Sequence, residues 1–277
     1  MDDIERIRAF NRTVTRRLGV LNEKYLGRDR PLVESRVMFE IGTHGASVRA
    51  LRALERKKLV RTEPAGSDGR VRIARLTRSG LAELERLDAL SNDLARSMLA
   101  PLSGEQARRL VSAMVEVERL LRASSIEFTP ADPRSEDARH CLDRYYEELA
   151  ARFPGGFELG ADDGPAAGEF APPSGCMIVA RLFGDPVGCG ALRTLAPGVG
   201  EIKRMWIAPQ VRGLGVGRRL LEALEQVGKA CKLGTVRLDT HGSLAEALCL
   251  YRGSGYREIS RYNENPYAQH WFEKSLI

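Results

Sequence analysis

The stretch Glu201–Ala223, EIKRMWIAPQVRGLGVGRRLLEA, decides the fold of the second half of this 277-residue chain. Its first part, Glu201–Ile207, predicts a strand that stops before Pro209. From about Leu214, apolar residues return at three- and four-residue spacing and predict a helix. A glycine-rich turn joins the two elements. Because the first N–H groups of a helix have no partner within it and lie at the positive end of its dipole, this stretch predicts an anion-binding site.

The spacing of the glycines separates this turn from two other phosphate-binding patterns. A P-loop has Lys-Ser/Thr after its last glycine, and a dinucleotide fingerprint has Gly-x-Gly-x-x-Gly. Here the order is Arg212-x-x-Gly215-x-Gly217. That pattern resembles the pyrophosphate-binding loop of the GNAT acetyltransferase superfamily, which implies acetyl-CoA as the cosubstrate. The resemblance implies these cofactor-binding residues in the strand end and the loop: Trp206, Ile207, Ala208, Arg212, Gly213, Leu214, Gly215, Val216 and Gly217.

A second motif lies in the segment Ala245–Tyr256, AEALCLYRGSGY. It resembles the Ala-x-x-Leu-Tyr-x-x-x-Gly-Phe/Tyr motif of the same superfamily, which flanks the CoA thiol. The resemblance implies that Tyr251 protonates the leaving thiolate, and a phenol with a pKa of roughly 10 carries its proton at neutral pH. Glu201, at the start of the central strand, is the candidate base. His241 departs from the family pattern, because many members carry Asn there.

The order of elements in the second half agrees with these motifs. A short strand at Ile126–Thr129 and a helix over Pro133–Ala151 precede three strands separated by Gly/Pro turns. The predicted strands are Met177–Phe183, Val187–Leu195 and Glu201–Ile207 before the glycine loop, and Val236–Thr240, Tyr256–Ser260 and His270–Lys274 after it. We therefore predict that residues 124–277 form an α/β GNAT fold with a mixed, mostly antiparallel sheet.

The acceptor of the acetyl group is left open by the sequence. The loop 154–175 would lie where GNAT enzymes admit the acceptor, and the tail RYNENPYAQHWFEK (261–274) is rich in polar and aromatic residues. Such a cluster suits a small amine or an amino acid, but a drug-like amine or a protein lysine is not excluded. The candidate substrate residues are Phe170, Arg193, Arg204, Tyr262, Asn265 and Tyr267.

The first half of the chain carries the positive charge. Residues 1–123 hold 25 Lys+Arg against 17 Asp+Glu, a net charge of +8, whereas the remainder has a net charge of −2. This asymmetry indicates a polyanionic partner or simply an arginine-rich composition. The segment 59–80, LVRTEPAGSDGRVRIARLTRSG, predicts a β-hairpin followed by a helix that Thr77 caps.

Helices, this hairpin and two further long helices resemble a MarR-type winged helix-turn-helix regulator over residues 1–123. The resemblance implies a mainly α winged-helix domain that binds DNA and forms a homodimer through its first and last helices. It implies that Arg70 reaches the minor groove, and that Arg72, Lys57 and Lys58 contact phosphates.

The region between Gly45 and Leu59 departs from that family, because its 13 residues are too few for the roughly 20 that two helices and a turn need. Either this segment is deleted and sequence-specific binding is lost, or further residues belong at about Ala50–Leu54. We favour the second explanation, which an intact mass above 30.7 kDa would support.

The sequence gives weaker support to disulfides, a metal site, a Ser-His-Asp triad or a membrane span. Five cysteines without a Cys-x-x-Cys pair indicate reduced, mostly buried thiols in a cytoplasmic protein, and no metal-ligand or Ser-His-Asp pattern is present. No apolar run approaches a membrane span. Two functions remain in view: an N-acetyltransferase fused to a DNA-binding regulator, or a transcription factor whose GNAT half senses acetyl-CoA or a metabolite without turnover.

Overall fold

The structure is a computed structural model that describes residues 3–18, 32–41, 48–65, 68–153, 155–157 and 168–277. It divides the chain into two compact units, Met1–Leu110 and Val111–Ile277. The division falls inside a helix, a few turns before the predicted domain boundary at 123/124. The extent of the two functional domains, 1–123 and 124–277, stays a prediction.

The described residues of the first unit form four helices, a hairpin and the start of a fifth helix. The elements are α1 (Asp3–Leu18), α2 (Leu32–Ile41), α3 (Val48–Arg56), β1 (Val60–Ala65), β2 (Asp68–Leu76), α4 (Arg78–Leu99) and the beginning of α5 (Gly104–Ser124). The hairpin pairs antiparallel, from Val60 opposite Leu76 inward. The Oγ1 of Thr77 accepts a hydrogen bond from the N–H of Gly80 at 3.0 Å, which confirms the predicted cap of α4.

The hydrophobic core of this unit holds the hairpin against the helices. It consists of Val37, Met38, Leu54, Leu59, Val60 and Leu87. The spacing of its apolar residues predicts that α1 continues to about residue 25, and the part after Leu18 lies outside the described residues. The helix α3 runs unbroken through Ala50–Leu54. The hypothesis of further residues at this point stays a prediction, which the intact mass tests.

The second unit is built on one seven-stranded sheet. Its helices and strands after α5 are β3 (Ile126–Ala131), α6 (Glu136–Arg152), β4 (Gly175–Leu182), β5 (Asp185–Ala196), β6 (Val199–Ile207), α7 (Val216–Ala230), β7 (Thr235–Thr240), α8 (Ala245–Gly253), β8 (Arg257–Ile259) and β9 (His270–Ser275). The strand order is β3-β4-β5-β6-β7-β9-β8. Only β6 and β7 pair in parallel within this sheet, which confirms the mixed, mostly antiparallel prediction.

Both faces of the sheet are covered, and this explains why its central strands read as continuous apolar runs. Met177 and Val179 on β4 face the cluster that includes Ala138 and Leu142 of α6. The intervening Ile178 belongs to the cluster that contains the α7 leucines. That second cluster also includes these fully or nearly fully buried residues: Leu220, Leu221, Leu224, Val236, Leu238, Tyr251 and Phe272.

Two irregularities open the sheet beside the glycine loop. The strands β6 and β7 pair only from Val199 opposite Thr235 to Glu201 opposite Arg237, and beyond this point they separate. The pairing of β5 with β6 shifts between Cys189 and Ala191. Within this bulge Arg204 has φ = 57°, an uncommon conformation for a residue other than glycine. The carboxyl end of β6 is thereby freed to line a cavity.

The cysteines only partly follow the prediction. All five are free thiols, and Cys141 and Cys189 are buried. Cys231 and Cys249 are exposed, so the expectation of mostly buried thiols is wrong for these two. No cluster of three or more potential metal ligands occurs among the described residues. None of the helices in the described ranges is both long and apolar enough to cross a membrane.

We predict that Phe272→Ala destabilises the second unit by about 3–5 kcal/mol, because Phe272 is fully buried in the cluster that joins the sheet to α7 and α8. Phe183→Ala is the control, since Phe183 is 70% exposed and its loss should change stability by less than about 0.5 kcal/mol. Urea unfolding followed by tryptophan fluorescence measures both variants. Equal midpoints for the two variants would contradict this assignment of the core.

Candidate active site

A cavity of about 410 Å³ lies where β6 ends and α7 begins. It is lined by α6, by the end of β6 with the glycine loop, and by α8 with the residue before it. The lining residues are Tyr145, Glu148, Leu149, Arg152, Met205, Trp206, Ile207, Val211, Arg212, Gly213, Gly215, Val216, Gly217, Arg218, Leu244, Glu246, Ala247, Leu250 and Tyr251. The two motifs found in the sequence therefore contribute to the same cavity.

The glycine loop presents an uncapped helix end to this cavity. Gly213 and Gly215 have φ of 72° and 74°, a left-handed conformation that glycine adopts without strain. Gly215 is the N-cap residue of α7, and no side chain caps the helix. Gly217 is helical, and a Cβ there would touch Leu250 at 3.5 Å and Ile207 at 3.9 Å. The first N–H groups of α7 are consequently left for a ligand, which fits an anionic group such as a diphosphate.

The side chain of Arg212 is engaged within the protein. Its Nε donates to the carbonyl oxygen of Ile207 at 2.8 Å, and its guanidinium forms an ion pair with Glu148. Glu148 also accepts hydrogen bonds from the indole N–H of Trp206 at 2.9 Å and from Arg152 at 3.0 Å. Arg152 in turn pairs with Glu246 at 2.7 Å. This network ties α6 to the glycine loop and to α8.

The electrostatics of Glu148 follow from these partners. Its burial alone would raise the pKa of the carboxyl, but the hydrogen bonds from Arg212 and Arg152 outweigh it and lower the pKa below its usual value. Glu148 is therefore a carboxylate at neutral pH and holds both guanidinium groups. The sequence analysis missed Glu148 and Arg152, because neither motif includes α6.

Tyr251 lines the cavity from α8, as the second motif implies. Its ring is buried and lies 6.0 Å from the ring centroids of both Tyr256 and Phe272. Burial, and to a lesser extent the negative charge of Asp239, raises the pKa of the Tyr251 phenol. The hydroxyl keeps its proton at neutral pH, which is the state that a proton donor requires.

Glu201 lies away from the cavity, in a fully buried polar site. Its Oε2 accepts from Arg193 at 2.7 Å, and its Oε1 accepts from the hydroxyl of Tyr262 at 2.9 Å and from Asn263 at 3.2 Å. Lys203 adds a second cation at 3.7 Å. The carboxylate is thus compensated by charge on both sides, and it does not contact the cavity directly.

Asp239, on β7, is a second carboxylate in the same region that sequence analysis did not single out. Lys203 pairs with it at 2.7 Å, and the amides of Asn263 and Asn265 donate to it at 2.5 Å and 2.9 Å. It lies across the gap between the separated ends of β6 and β7. No local pattern marks it, because its partners come from a distant strand and from the tail.

The candidate acceptor residues fall into three groups: Arg193, Tyr262 and Asn265 near Glu201 and Asp239, Arg204 with Phe170, and Tyr267 among other aromatic rings. Arg193 pairs with Glu169 as well as Glu201, and the Arg204 guanidinium lies 4.6 Å from the ring centre of the buried Phe170. Tyr262 and Asn265 belong to the polar cluster around Glu201 and Asp239. None of the six candidate acceptor residues is among those that line the cavity.

Tyr267 belongs to an aromatic group with Phe153 and Phe157, at centroid distances of 5.6 Å and 4.9 Å. His241 stacks on Phe153 at 4.3 Å, and its Nδ1 accepts the N–H of Ser243 at 3.0 Å. These contacts give His241 a packing role at the end of β7.

Two of the expected cofactor residues lie outside the cavity lining. Ala208 is buried and its N–H donates to the carbonyl oxygen of Val187 at 2.9 Å, so this N–H is not available to a ligand. Leu214 packs against the cluster on the α6 side of the sheet. Met205, which was not singled out, lines the cavity instead.

Part of this chain is similar to known acetyltransferases. Residues 135–256 match the acetyltransferase (GNAT) family model. A segment of 89 residues, 32% of this chain, is 40% identical to the IAA acetyltransferase of Azospirillum brasilense and covers 58% of it. An uncharacterized N-acetyltransferase of Schizosaccharomyces pombe is 34% identical over 100 residues, which cover 35% of this chain and 61% of that protein.

A solved GNAT family acetyltransferase from Staphylococcus aureus Mu50 aligns with 55% of this chain and 99% of its own, at 18% identity and a TM-score of 0.48. The chain spans about three fifths of the length of the two curated relatives. The matched region contains the glycine loop, Tyr251 and the Glu148 network.

We predict that Glu148→Gln destabilises the protein by about 1–3 kcal/mol, because two partly buried guanidinium groups lose their carboxylate. Since the folded-state pKa of Glu148 is lowered, its contribution is present above the unfolded-state pKa of roughly 4.3 and is lost as the pH falls through the folded-state value. The stability difference from wild type should therefore narrow in acid.

The control for this variant is Glu147→Gln, since Glu147 pairs with Arg144 on the exposed side of the same helix. Thermal melts at pH 7 and at acid pH measure both variants. A difference between wild type and Glu148→Gln that stays constant with pH would show that the ion pairs do not stabilise the fold.

Proposed function

We propose that this chain, whose residues 135–256 form a GNAT acetyltransferase domain, transfers an acetyl group from acetyl-CoA to an amine. The observation that carries the proposal is the shared cavity. The uncapped start of α7 and the protonated phenol of Tyr251 come from separate motifs and line the same space. An anion-binding end and a proton donor on one cavity are what a thioester of a phosphorylated carrier requires.

The glycine loop would hold the diphosphate of acetyl-CoA. The N–H groups of the first turn of α7 are not capped, and the left-handed turns at Gly213 and Gly215 keep bulk away from them. The apolar part of the cavity, from Met205, Ile207 and Leu250, suits the pantetheine arm. Acetyl-CoA supplies the activated acetyl group when it is bound.

The reaction needs one residue that donates a proton to the thiolate and another that accepts a proton from the amine. As the amine nitrogen bonds to the acetyl carbon and the carbon–sulfur bond breaks, the Tyr251 hydroxyl gives its proton to the thiolate. A carboxylate, directly or through water, takes the proton that the amine loses. Glu201 remains our candidate base, and Asp239 is a second candidate because it shares Lys203 and Asn263 with Glu201 where β6 and β7 diverge. We infer an acceptor that is a small amine, an amino acid or a protein lysine.

We also propose that residues 1–123 are a MarR-like module that binds DNA and forms a homodimer. The antiparallel hairpin β1–β2, which follows α2 and α3, supports this proposal. Lys57 and Lys58 are exposed at the turn after α3, although Lys57 pairs with Glu34. Arg70 and Arg72 lie in β2, and their side chains are outside the described residues.

The proposed homodimer is supported by apolar side chains that remain exposed on α1 and α5. These are Ile4, Ile7 and Phe10 on α1, and Val111, Met114, Val115, Val117, Leu120 and Leu121 on α5. Large apolar residues clustered on one element are typical of a partner interface.

A second candidate function is a regulator whose GNAT half binds acetyl-CoA or a metabolite without turnover. The full burial of Glu201 among Arg193, Lys203 and Tyr262 favours it, because this carboxylate does not contact the cavity. Turnover distinguishes the two functions.

We predict that wild-type protein releases CoA thiol from acetyl-CoA with at least one class among free amino acids, polyamines, aminoglycosides and lysine peptides. Tyr251→Phe should lower kcat by about 10²–10⁴-fold without changing the Kd of acetyl-CoA, because only the proton is lost. Tyr256→Phe, a neighbouring tyrosine that does not line the cavity, is the control. Tight acetyl-CoA binding with no thiol release from any acceptor would favour the sensing regulator instead.

We predict that the full chain binds duplex DNA with an affinity that falls as the salt concentration rises. Basic side chains of the protein would neutralise phosphates and release their counterions, and added salt opposes that release. The double variant Arg70→Ala/Arg72→Ala should weaken binding by about 10-fold or more and reduce the salt dependence. Arg96→Ala is the matched control, because Arg96 is exposed on α4 and paired with Asp93. Fluorescence anisotropy measures all three proteins, and unchanged binding by the double variant would contradict the proposed contacts.

A further inference from the structure

An arginine outside the family-matched region contacts the glycine loop. Arg119 lies on α5, and its Nη2 donates to the carbonyl oxygen of Arg212 at 3.0 Å. The family match begins at residue 135, so α5 is not part of it. Both residues belong to the second compact unit.

The guanidinium of Arg119 lies over the turn itself. A Cβ built on Gly213 would come within 2.9 Å of the Nη2 of Arg119. Arg119 is about half exposed, and its contact with Glu116, at 3.6 Å on the same helix, is the kind of surface pair that contributes little. A guanidinium has further N–H groups beyond the one used on Arg212, so it can also donate to a phosphate.

Two of the arginines that line the cavity already have carboxylate partners. Arg152 and Arg212 are both paired, and their partners Glu148 and Glu246 cancel their charge. A diphosphate bound there needs positive charge beyond the helix dipole. Two further arginines lie next to the glycine loop among the described residues. Arg218 lines the cavity, and Arg119 contacts the loop from α5.

We propose that Arg119 is a phosphate-binding residue for acetyl-CoA, acting on the diphosphate or on the 3′-phosphate, and that α5 thereby forms one wall of the cofactor site. The proposal rests on the proposed acetyl-CoA function. It adds a cationic ligand that the two motifs do not contain. Arg122, three residues further along α5, pairs with Glu118 at 3.3 Å on the same helix and serves as the matched control.

The test is calorimetric titration of wild type, Arg119→Gln and Arg122→Gln with CoA, dephospho-CoA and pantetheine. Arg119→Gln should weaken CoA binding by about 5- to 10-fold, the effect of losing one partly exposed charge-assisted contact, and should flatten its salt dependence. Arg122→Gln should bind CoA like wild type. Pantetheine, which lacks phosphate, should bind all three proteins equally.

The ligands separate the two phosphate sources. If the effect of Arg119→Gln disappears with dephospho-CoA, Arg119 binds the 3′-phosphate; if it persists, Arg119 binds the diphosphate. Equal CoA affinity for wild type and Arg119→Gln would overturn the inference while leaving the acetyl-CoA function intact. A loss of affinity with an unchanged salt dependence would overturn it too, because it would show that Arg119 only positions the loop. Failure of wild type to bind CoA would overturn both proposals.

Discussion

The uncapped start of α7 is the constraint on which the candidate site depends. Its N–H groups can face the cavity only because Gly213 and Gly215 adopt left-handed turns, which residues with a side chain adopt at a cost of about 1–2 kcal/mol. The helix is fixed in place by the burial of Leu220, Leu221 and Leu224 against the sheet. The glycine turn is therefore attached to a helix that is anchored by buried leucines, and this combination positions the N–H donors.

The separation of β6 from β7 is the second part of the arrangement. Parallel pairing stops after Glu201 and Arg237, so the end of β6 is not covered by its neighbour. The cavity lies at this uncovered end, and the polar cluster of Glu201, Lys203 and Asp239 fills the region where the strands begin to diverge. The cavity and the polar cluster thus lie on either side of one irregularity in the sheet, with Tyr251 on the helix that follows β7.

Local signals in the sequence predicted a large part of this structure. The glycine spacing, the apolar periodicity and the turn residues are short-range, and they located the strands of the second unit, the loop and Tyr251 correctly. The contacts of Glu148 with Arg212, of Asp239 with Asn265 and of Arg119 with the loop join residues far apart in the chain. No pattern within either segment encodes such pairings, so Glu148, Asp239 and Arg119 emerged only from the folded chain. The bond from the Ala208 N–H to the carbonyl oxygen of Val187 on the neighbouring strand is another contact that no local pattern encodes, and the role of Ala208 in cofactor binding stays a prediction.

The central claim is that acetyl-CoA occupies the cavity between the glycine loop and Tyr251. A crystal structure of the protein with acetyl-CoA tests it most directly. We predict density for the diphosphate against the backbone N–H groups at the start of α7, with the thioester sulfur on the Tyr251 side of the cavity. A cofactor bound elsewhere, or a cavity that stays empty at saturating acetyl-CoA, would contradict this account.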